Sequence, residues 1–186
     1  MSIDDVLLET EEHMIKTLDV LHHDFSKVRT GRANPSMLEG VKVDYYGVPT
    51  PISQVGNIAV PEPSQLVVKP YDKNMVKEVE KAILAANLGV TPSNEGDLLR
   101  ITIPKLTEDT RKKLVKDVKK LAENAKVAVR NIRRDANDKI KKLEKASKIS
   151  EDESSMYQDD VQELTDTYVK KIDDALALKE KDLLAI

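Results

Sequence analysis

The chain has 186 residues, of which 40% are hydrophobic, 34% charged and 3% aromatic. This balance is typical of a folded protein with much exposed helix surface and excludes a disordered chain. Cysteine is absent, which excludes disulfides and thiolate chemistry and is typical of a reducing compartment. No apolar run approaches the roughly 20 residues that span a bilayer, and the acidic N-terminus has the pattern of neither a signal nor a transit peptide. We therefore expect a soluble, cytoplasmic protein.

The net charge of −3 conceals a strong segregation of charge along the chain. Residues 1–29 carry three basic and seven acidic side chains, and residues 151–186 carry four and eleven. Residues 107–146 carry fourteen basic and seven acidic side chains, whereas residues 30–106 carry eight of each. Such asymmetry says more about possible partners than the total charge does.

The first element in the chain is a helix over residues 2–29. Ser2 can cap it, and acidic residues follow in its first turn, where they are favoured. Its apolar residues recur mostly three and four positions apart, which predicts a coiled-coil-like seam. The seam comprises Ile3, Leu7, Met14, Leu18, Leu21, Phe25 and Val28.

The next segment has a different composition, because all eight prolines and all six glycines lie between residues 30 and 106. Val41, Val43 and Tyr45 alternate as in a strand, before a turn at Gly47. Further strands are predicted at 56–60, 65–69 and 98–103, with one short helix near 74–88. This pattern predicts a small, β-rich α/β domain.

Two more helices follow this insert. Residues 107–146 predict a rod of roughly 60 Å at 1.5 Å per residue. Its expected core positions are Leu114, Val118, Leu121, Ala125, Ala128, Ile132, Ala136, Ile140 and Leu143. Ser150 and Glu153 have capping-box spacing at the start of the last helix. The last helix has a seam that includes Val161, Leu164, Tyr168, Ile172, Ala175 and Leu183.

The order of elements predicts an α+β fold with two domains. Residues 1–30 and 106–186 would form a long antiparallel three-helix bundle, and residues 31–105 the inserted α/β domain. Two short crossings would join them as a two-strand hinge, across which few contacts and some domain motion are expected. The hinge residues are Thr30, Gly31, Pro104, Lys105 and Leu106.

Residues for catalysis or metal binding are not apparent in the sequence. The three histidines, His13, His22 and His23, lack the i, i+4 spacing of a helical metal site, and we interpret them as surface residues. The segment around Gly31 lacks the Lys-Ser/Thr ending of a phosphate-binding loop. Carboxylates on solvated helix faces are poor acid–base catalysts. We expect no enzyme activity, no cofactor and no metal.

The basic helix carries a stripe of cations that is centred opposite its apolar seam. The stripe comprises Lys112, Lys116, Lys119, Lys126, Arg130, Arg133, Arg134 and Lys141. One interpretation is a solvated face, or a face that complements the neighbouring acidic helices. The other is a binding surface for RNA or another polyanion. The guanidinium of arginine donates paired hydrogen bonds to phosphates, and we expect the stripe to face away from the bundle. On this interpretation Lys126, Arg130, Arg133 and Arg134 are the candidate RNA-binding residues.

A second basic cluster lies at the elbow between the first helix and the insert, where Arg29 and Arg32 flank Gly31. Basic residues suit a helix C-terminus, and Gly and Pro suit an exit turn, so a structural role explains the cluster. A contact with the partner explains it equally well. Both interpretations stay open at this point.

Several long motifs resemble the ribosome recycling factor family, and they run nearly end to end. They are KVRTGRANPS at 27–36, VDYYGVPTPISQ at 43–54, EKAILAANLG at 80–89, ITIPKLTEDTRKKL at 101–114, VAVRNIRRDANDKIKKLEK at 127–145, and ISEDE followed by QDDVQELTD at 158–166. These motifs also follow the family's order of a bundle interrupted by an insert.

The resemblance implies an elongated, L-shaped monomer with dimensions like those of transfer RNA and no active site of its own. Such a protein binds the ribosome after termination. With elongation factor G and GTP it splits the 70S ribosome into subunits, releasing messenger and transfer RNA. The family's contacts to large-subunit ribosomal RNA fall here on Arg130 and Arg133, with Arg29 and Arg32 at the elbow.

Two alternatives remain beside this assignment. A chaperone-like or structural helical protein would need exposed apolar surface to bind its clients. An enzyme would need a site in the Pro- and Gly-rich insert, and turnover of nucleotides or esters by the protein alone would reveal it.

Overall fold

A computed structural model describes residues 1–184 of the chain. The helices are α1 (Ile3–Lys27), α2 (Ile52–Val55), α3 (Val76–Ala85), α4 (Glu108–Lys145) and α5 (Glu151–Leu184). The strands are β1 (Lys42–Tyr45), β2 (Val48–Pro51), β3 (Gly56–Glu62), β4 (Gln65–Pro70), β5 (Pro92–Asn94) and β6 (Leu99–Thr102). The predicted α+β class, a helical bundle interrupted by a small antiparallel sheet unit, is confirmed.

The chain divides into two compact units. The helical unit contains Met1–Val28 and Lys112–Lys181. The sheet unit contains Arg29–Arg111 together with residues 182–184. The first turn of α4 and the last residues of α5 therefore cluster with the sheet unit.

The predicted caps of α1 and α5 are confirmed as reciprocal capping boxes. The Asp5 N–H donates to Ser2 Oγ at 3.2 Å, and the Ser2 N–H donates to the Asp5 carboxylate at 2.8 Å. Ser150 and Glu153 repeat the arrangement at 3.1 and 2.8 Å. Each box satisfies two backbone donors that a helix start otherwise leaves unpaired.

The three helices of the helical unit share an apolar core. One cluster takes a buried residue from α1, two from α4 and one from α5, namely Val6, Ala136, Ile140 and Val161. Two threonines are also buried, and their hydroxyls donate to carbonyls of their own helices: Thr10 to Val6 at 2.6 Å and Thr165 to Val161 at 2.7 Å. This bonding removes most of the cost of burying a hydroxyl.

Helices α1 and α4 run antiparallel. Near the start of α1, Lys139 of α4 donates to Glu9 at 2.8 Å. Near the end of α1, Leu21 lines a groove with Leu121 and Ala125 from the first half of α4. Residue numbers therefore rise along α1 as they fall along α4.

The sheet unit contains two antiparallel sheets. Strands β1 and β2 form a hairpin, and the other strands form a sheet in the order β3-β4-β6-β5. Strands β2 and β5 were not predicted, because each is short and contains proline. The α2 helix was not predicted either, because it is only four residues long. Helix α3 packs Val79 and Ile83 into a core with buried residues of the sheets, among them Val43, Leu66, Val68, Leu99 and Ile101.

The hairpin β1–β2 turns through two residues with positive φ, Tyr46 at 50° and Gly47 at 87°. This is the geometry of a type I′ turn, which matches the twist of the strands. The Tyr46 hydroxyl donates to Asp72 Oδ2 at 2.5 Å. That hydrogen bond raises the pKa of Tyr46 and lowers the pKa of Asp72. The turn is thus tied to the segment after β4.

The predicted hinge residues lie outside the helices and strands of the sheet unit; they are Thr30, Gly31, Pro104, Lys105 and Leu106. Backbone bonds tie the residues beside them to the β3–β4 turn. The Ala33 N–H donates to the Pro63 carbonyl at 2.6 Å, and the Ile103 N–H donates to the Ser64 carbonyl at 2.7 Å. Ala33 and Ile103, which neighbour the two predicted hinge segments, therefore both bond to one turn of the sheet unit.

Candidate nucleic-acid interface on helix α4

The buried face of α4 is rotated from the face that the sequence predicts. The fully buried positions are Val118, Ala122, Ala125, Val129, Ala136 and Ile140. Ala122 and Val129 were not expected in the core, whereas the expected Leu121, Ala128 and Ile132 are half-buried. The buried face therefore lies closer to the basic stripe than the apolar pattern indicates.

As a result, one edge of the stripe borders α5. Lys126 pairs with Asp173, and seven residues earlier Lys119 contacts Glu180 at 3.9 Å. Because the residue number falls along α4 as it rises along α5, the two helices run antiparallel. The expectation that neighbouring helices cannot neutralise the stripe is wrong at this edge: the Lys126 side chain is 18% exposed, and its charge is balanced by α5.

Arg133 lies seven residues beyond Lys126 and also faces α5. Its Nη1 donates to Gln162 Oε1 at 3.0 Å, and the Gln162 amide donates to Asp166 Oδ1 at 2.9 Å. Arg133 Nε is buried without a hydrogen-bond partner. The side chain is half-buried rather than extended into solvent as expected.

The outer part of the stripe is open to solvent. Arg130 is exposed and contacts Glu123 of its own helix at 3.6 Å, while Arg134 is exposed one turn further on. Lys116 and Lys141 are exposed as well. When a polyanion binds, exposed cations on one helix displace the counterions of the polyanion. Arginines can also donate paired hydrogen bonds to its phosphates. Arg133 and Lys126 thus form the α5 side of this surface, and Arg130 and Arg134 form its open side.

The two elbow arginines belong to the sheet unit. Arg32 pairs with Asp182 at 3.7 Å, and both side chains are exposed. The Arg29 guanidinium lies beside Gly89, just after the C-terminus of α3, where a cation is favoured. Arg29 Nε is buried without a hydrogen-bond partner. The elbow arginines therefore have structural contacts of their own.

The α5 residues that face the stripe were not predicted from the sequence; they are Gln162, Asp166, Asp173 and Glu180. The spacing of charged residues in the sequence nevertheless indicates these contacts. The basic residues recur every seven positions on α4, and acidic residues recur every seven positions on α5 at 166, 173 and 180. Matched heptad charges in antiparallel helices indicate such a ladder of pairs.

Residues 1–184 contain no group of three or more His, Asp or Glu side chains placed to hold a metal ion. Among the helices described, none is both long and apolar enough to cross a membrane.

Similar sequences cover nearly the whole chain. The ribosome-recycling factor of Staphylococcus carnosus is 54% identical over 182 residues, which are 98% of this chain and 99% of the relative. That of Geobacillus thermodenitrificans is 55% identical over 181 residues, which are 97% and 98% of the two chains. Similarity of this extent covers both compact units.

Two solved structures are also similar to this chain over its whole length. A solution structure of the ribosome recycling factor matches with a TM-score of 0.79 and 38% identity, covering 100% of this chain and 99% of that one. The T. thermophilus factor, described together with E. coli elongation factor G bound to the E. coli post-termination complex, matches with a TM-score of 0.69 and 45% identity over 100% of both chains. These matches place the chain in the class of translation factors. The family model of the ribosome recycling factor matches residues 21–184. The chain belongs to the ribosome recycling factor family.

Proposed function

We propose that this chain binds the 70S ribosome after termination and, with elongation factor G and GTP, splits it into subunits, releasing messenger and transfer RNA. Full-length membership of the recycling factor family carries this proposal. The T. thermophilus relative, described with elongation factor G on a post-termination complex, supports the choice of partners. The chain acts as a monomer in the cytoplasm and uses no cofactor.

The basic face of α4 lies against large-subunit ribosomal RNA in this proposal. Arg130 and Arg134 contribute exposed guanidinium groups, which bind phosphates through paired charge-assisted hydrogen bonds. Arg133 and Lys126 approach the RNA from the α5 side of the stripe, so Lys126 reaches a phosphate only by loosening its pair with Asp173. Arg29 and Arg32 extend the contact at the elbow.

In this proposal the work of splitting comes from GTP hydrolysis by elongation factor G. The bundle domain, residues 1–30 and 106–186, holds the RNA. The inserted domain, residues 31–105, receives the force. The irregular segments Thr30–Gly31 and Pro104–Leu106 absorb the rotation between them, as hinges formed by a few loop residues do.

Light scattering tests this function directly. Post-termination ribosomes and elongation factor G from Staphylococcus carnosus, whose factor is 54% identical, are mixed with this protein and GTP. We expect scattering to fall only when all components are present. No fall, when the Staphylococcus carnosus factor splits the same ribosomes, would contradict the proposed function.

A further inference from the structure

Gln162 connects a basic residue of α4 to an acidic residue of α5. Arg133 Nη1 donates to Gln162 Oε1 at 3.0 Å, and Gln162 Nε2 donates to Asp166 Oδ1 at 2.9 Å. At the two preceding steps of the ladder a lysine contacts a carboxylate directly. The third step differs, because an uncharged amide stands between Arg133 and Asp166.

Only one orientation of the amide satisfies both neighbours. A guanidinium is only a donor and a carboxylate only an acceptor, so the Gln162 oxygen must face Arg133 and its NH₂ group must face Asp166. A flipped amide would place its NH₂ group against the N–H donors of Arg133 and its oxygen against the carboxylate of Asp166. Arg133 and Asp166 therefore favour the same orientation of the amide, and the bond to Asp166 holds the Gln162 oxygen toward Arg133.

The Arg133 side chain is half-buried, which limits the conformations that it can adopt. Its Nε is buried without a hydrogen-bond partner, so the bond from Nη1 to Gln162 is what orients the guanidinium. One bond to Gln162 leaves further N–H groups to donate to a ligand. A side chain that is held before binding loses less conformational entropy when it binds.

We propose that Gln162 and Asp166 are positioning residues. They hold the Arg133 guanidinium in the orientation that donates two hydrogen bonds to a phosphate of the partner RNA. This inference rests on the proposed function, in which Arg133 contacts large-subunit ribosomal RNA. Gln162 and Asp166 need not touch the RNA, since their effect passes through Arg133.

Charge alone predicts the opposite effect for Asp166. Removing a carboxylate from a surface that binds a polyanion should tighten binding. If Asp166 positions Arg133 through Gln162, Asp166→Ala should instead weaken binding. The sign of the change therefore separates positioning from bulk electrostatics.

The experiment measures the affinity of fluorescently labelled variants for purified Staphylococcus carnosus large ribosomal subunits at several salt concentrations. The variants are Gln162→Ala, Asp166→Ala, Arg133→Ala and the double variant Arg133→Ala with Asp166→Ala. Asp174→Ala is the matched control, because it removes a carboxylate from another exposed position of α5. Circular dichroism verifies that each variant is folded.

We expect Gln162→Ala and Asp166→Ala to weaken binding about three- to tenfold, the range of a lost hydrogen bond, with an unchanged salt slope because Arg133 keeps its charge. Arg133→Ala should lower the magnitude of the slope by about one. Asp174→Ala should leave affinity unchanged or tighten it. In the Arg133→Ala background, Asp166→Ala should no longer weaken binding, a loss of effect that a merely structural role would not produce.

Three results would overturn the inference. The first is that Asp166→Ala binds as tightly as Asp174→Ala. The second is that Gln162→Ala binds like the unchanged protein, and the third is that Asp166→Ala weakens binding equally with and without Arg133. If the unchanged protein and Arg133→Ala bind the subunits equally, the proposed role of Arg133 fails first and the inference fails with it.

Discussion

Lys126 of α4 pairs with Asp173 of α5, and the pair spans the interface between two antiparallel helices of the helical unit. Lys119 and Glu180 repeat the contact seven residues away. A cation predicted to be free for RNA thus also holds two helices together. This dual use means that stability and binding must be measured separately for each basic residue.

Replacing Lys126 should therefore lower stability. The Lys126 side chain is 18% exposed and that of Asp173 51%, so we expect their coupling energy to be about 0.5–1 kcal/mol. A double-mutant cycle of Lys126→Ala and Asp173→Ala, followed by urea unfolding, measures it. Lys116→Ala, at an exposed position of the same helix, should change the free energy of unfolding by less than about 0.5 kcal/mol. Purely additive effects in the cycle would mean that the pair contributes nothing.

Arg133→Ala should keep the helical circular dichroism spectrum and weaken binding to large ribosomal subunits. Loss of a charge-assisted contact costs about 1.5–3 kcal/mol, which is tenfold or more in affinity. Lys170→Ala is the control, because it removes one cation from an exposed position of α5. Equal affinities of the folded Arg133→Ala and Lys170→Ala proteins would show that position 133 is not special.

Ile140→Ala should be among the most destabilising changes in the helical unit. Ile140 is fully buried and packs against Val6 and Val161 from the other two helices. Truncation of such a residue costs about 2–5 kcal/mol. Leu178→Ala on α5, where the side chain is 65% exposed, should cost less than about 0.5 kcal/mol. Urea unfolding of the two variants side by side checks the contrast, and similar losses would argue against this core.

Gly56→Ala should destabilise the sheet unit. A Cβ at Gly56 would lie 2.6 Å from the Lys69 carbonyl oxygen and 2.8 Å from Pro70 Cα, both backbone atoms of the paired strand β4. The strands must separate to accept it, at a cost of about 1–3 kcal/mol. Gly31→Ala is the control, because its Cβ would meet no heavy atom within 4 Å. Hydrogen exchange should show faster opening of β3 and β4 in Gly56→Ala only; unchanged protection there would refute the steric argument.

The contact between Glu9 and Lys139 should make stability depend on pH in the acid range. The hydrogen bond from Lys139 lowers the pKa of Glu9 below its ordinary value of 4.5. A carboxylate whose pKa is lowered by folding stabilises the protein at pH values above its pKa in the unfolded state. This stabilisation is lost as the pH falls through its pKa in the folded state. The stability difference between the unchanged protein and Lys139→Met should therefore be present at neutral pH and shrink below about pH 4.5.

The control for this prediction is Lys145→Met, which removes an exposed lysine near the end of the same helix. Its stability difference should not close in the same interval. A Lys139→Met difference that stays constant down to the acid transition would mean that Glu9 is not stabilised by this contact.

The sequence by itself determined the elements whose causes are local. Helix periodicity, the Ser2 cap, the Ser150–Glu153 capping box and the clustering of proline and glycine predicted the three long helices and the insert between them. Strands β3, β4 and β6 were also predicted, because short apolar runs that are bounded by turn residues are a local signal. The long motifs identified the family, which no argument from charge could have done.

Only the tertiary structure decided which way the basic stripe faces. The apolar pattern of α4 includes alanines on both sides of the seam, and small residues do not distinguish a buried face from its border. In the folded protein Ala122 and Val129 are buried, and on the adjoining edge of α4 Lys126 and Arg133 contact acidic and amide side chains of α5. Packing between helices, rather than the periodicity of one helix, therefore separates the open arginines from those held by a partner helix.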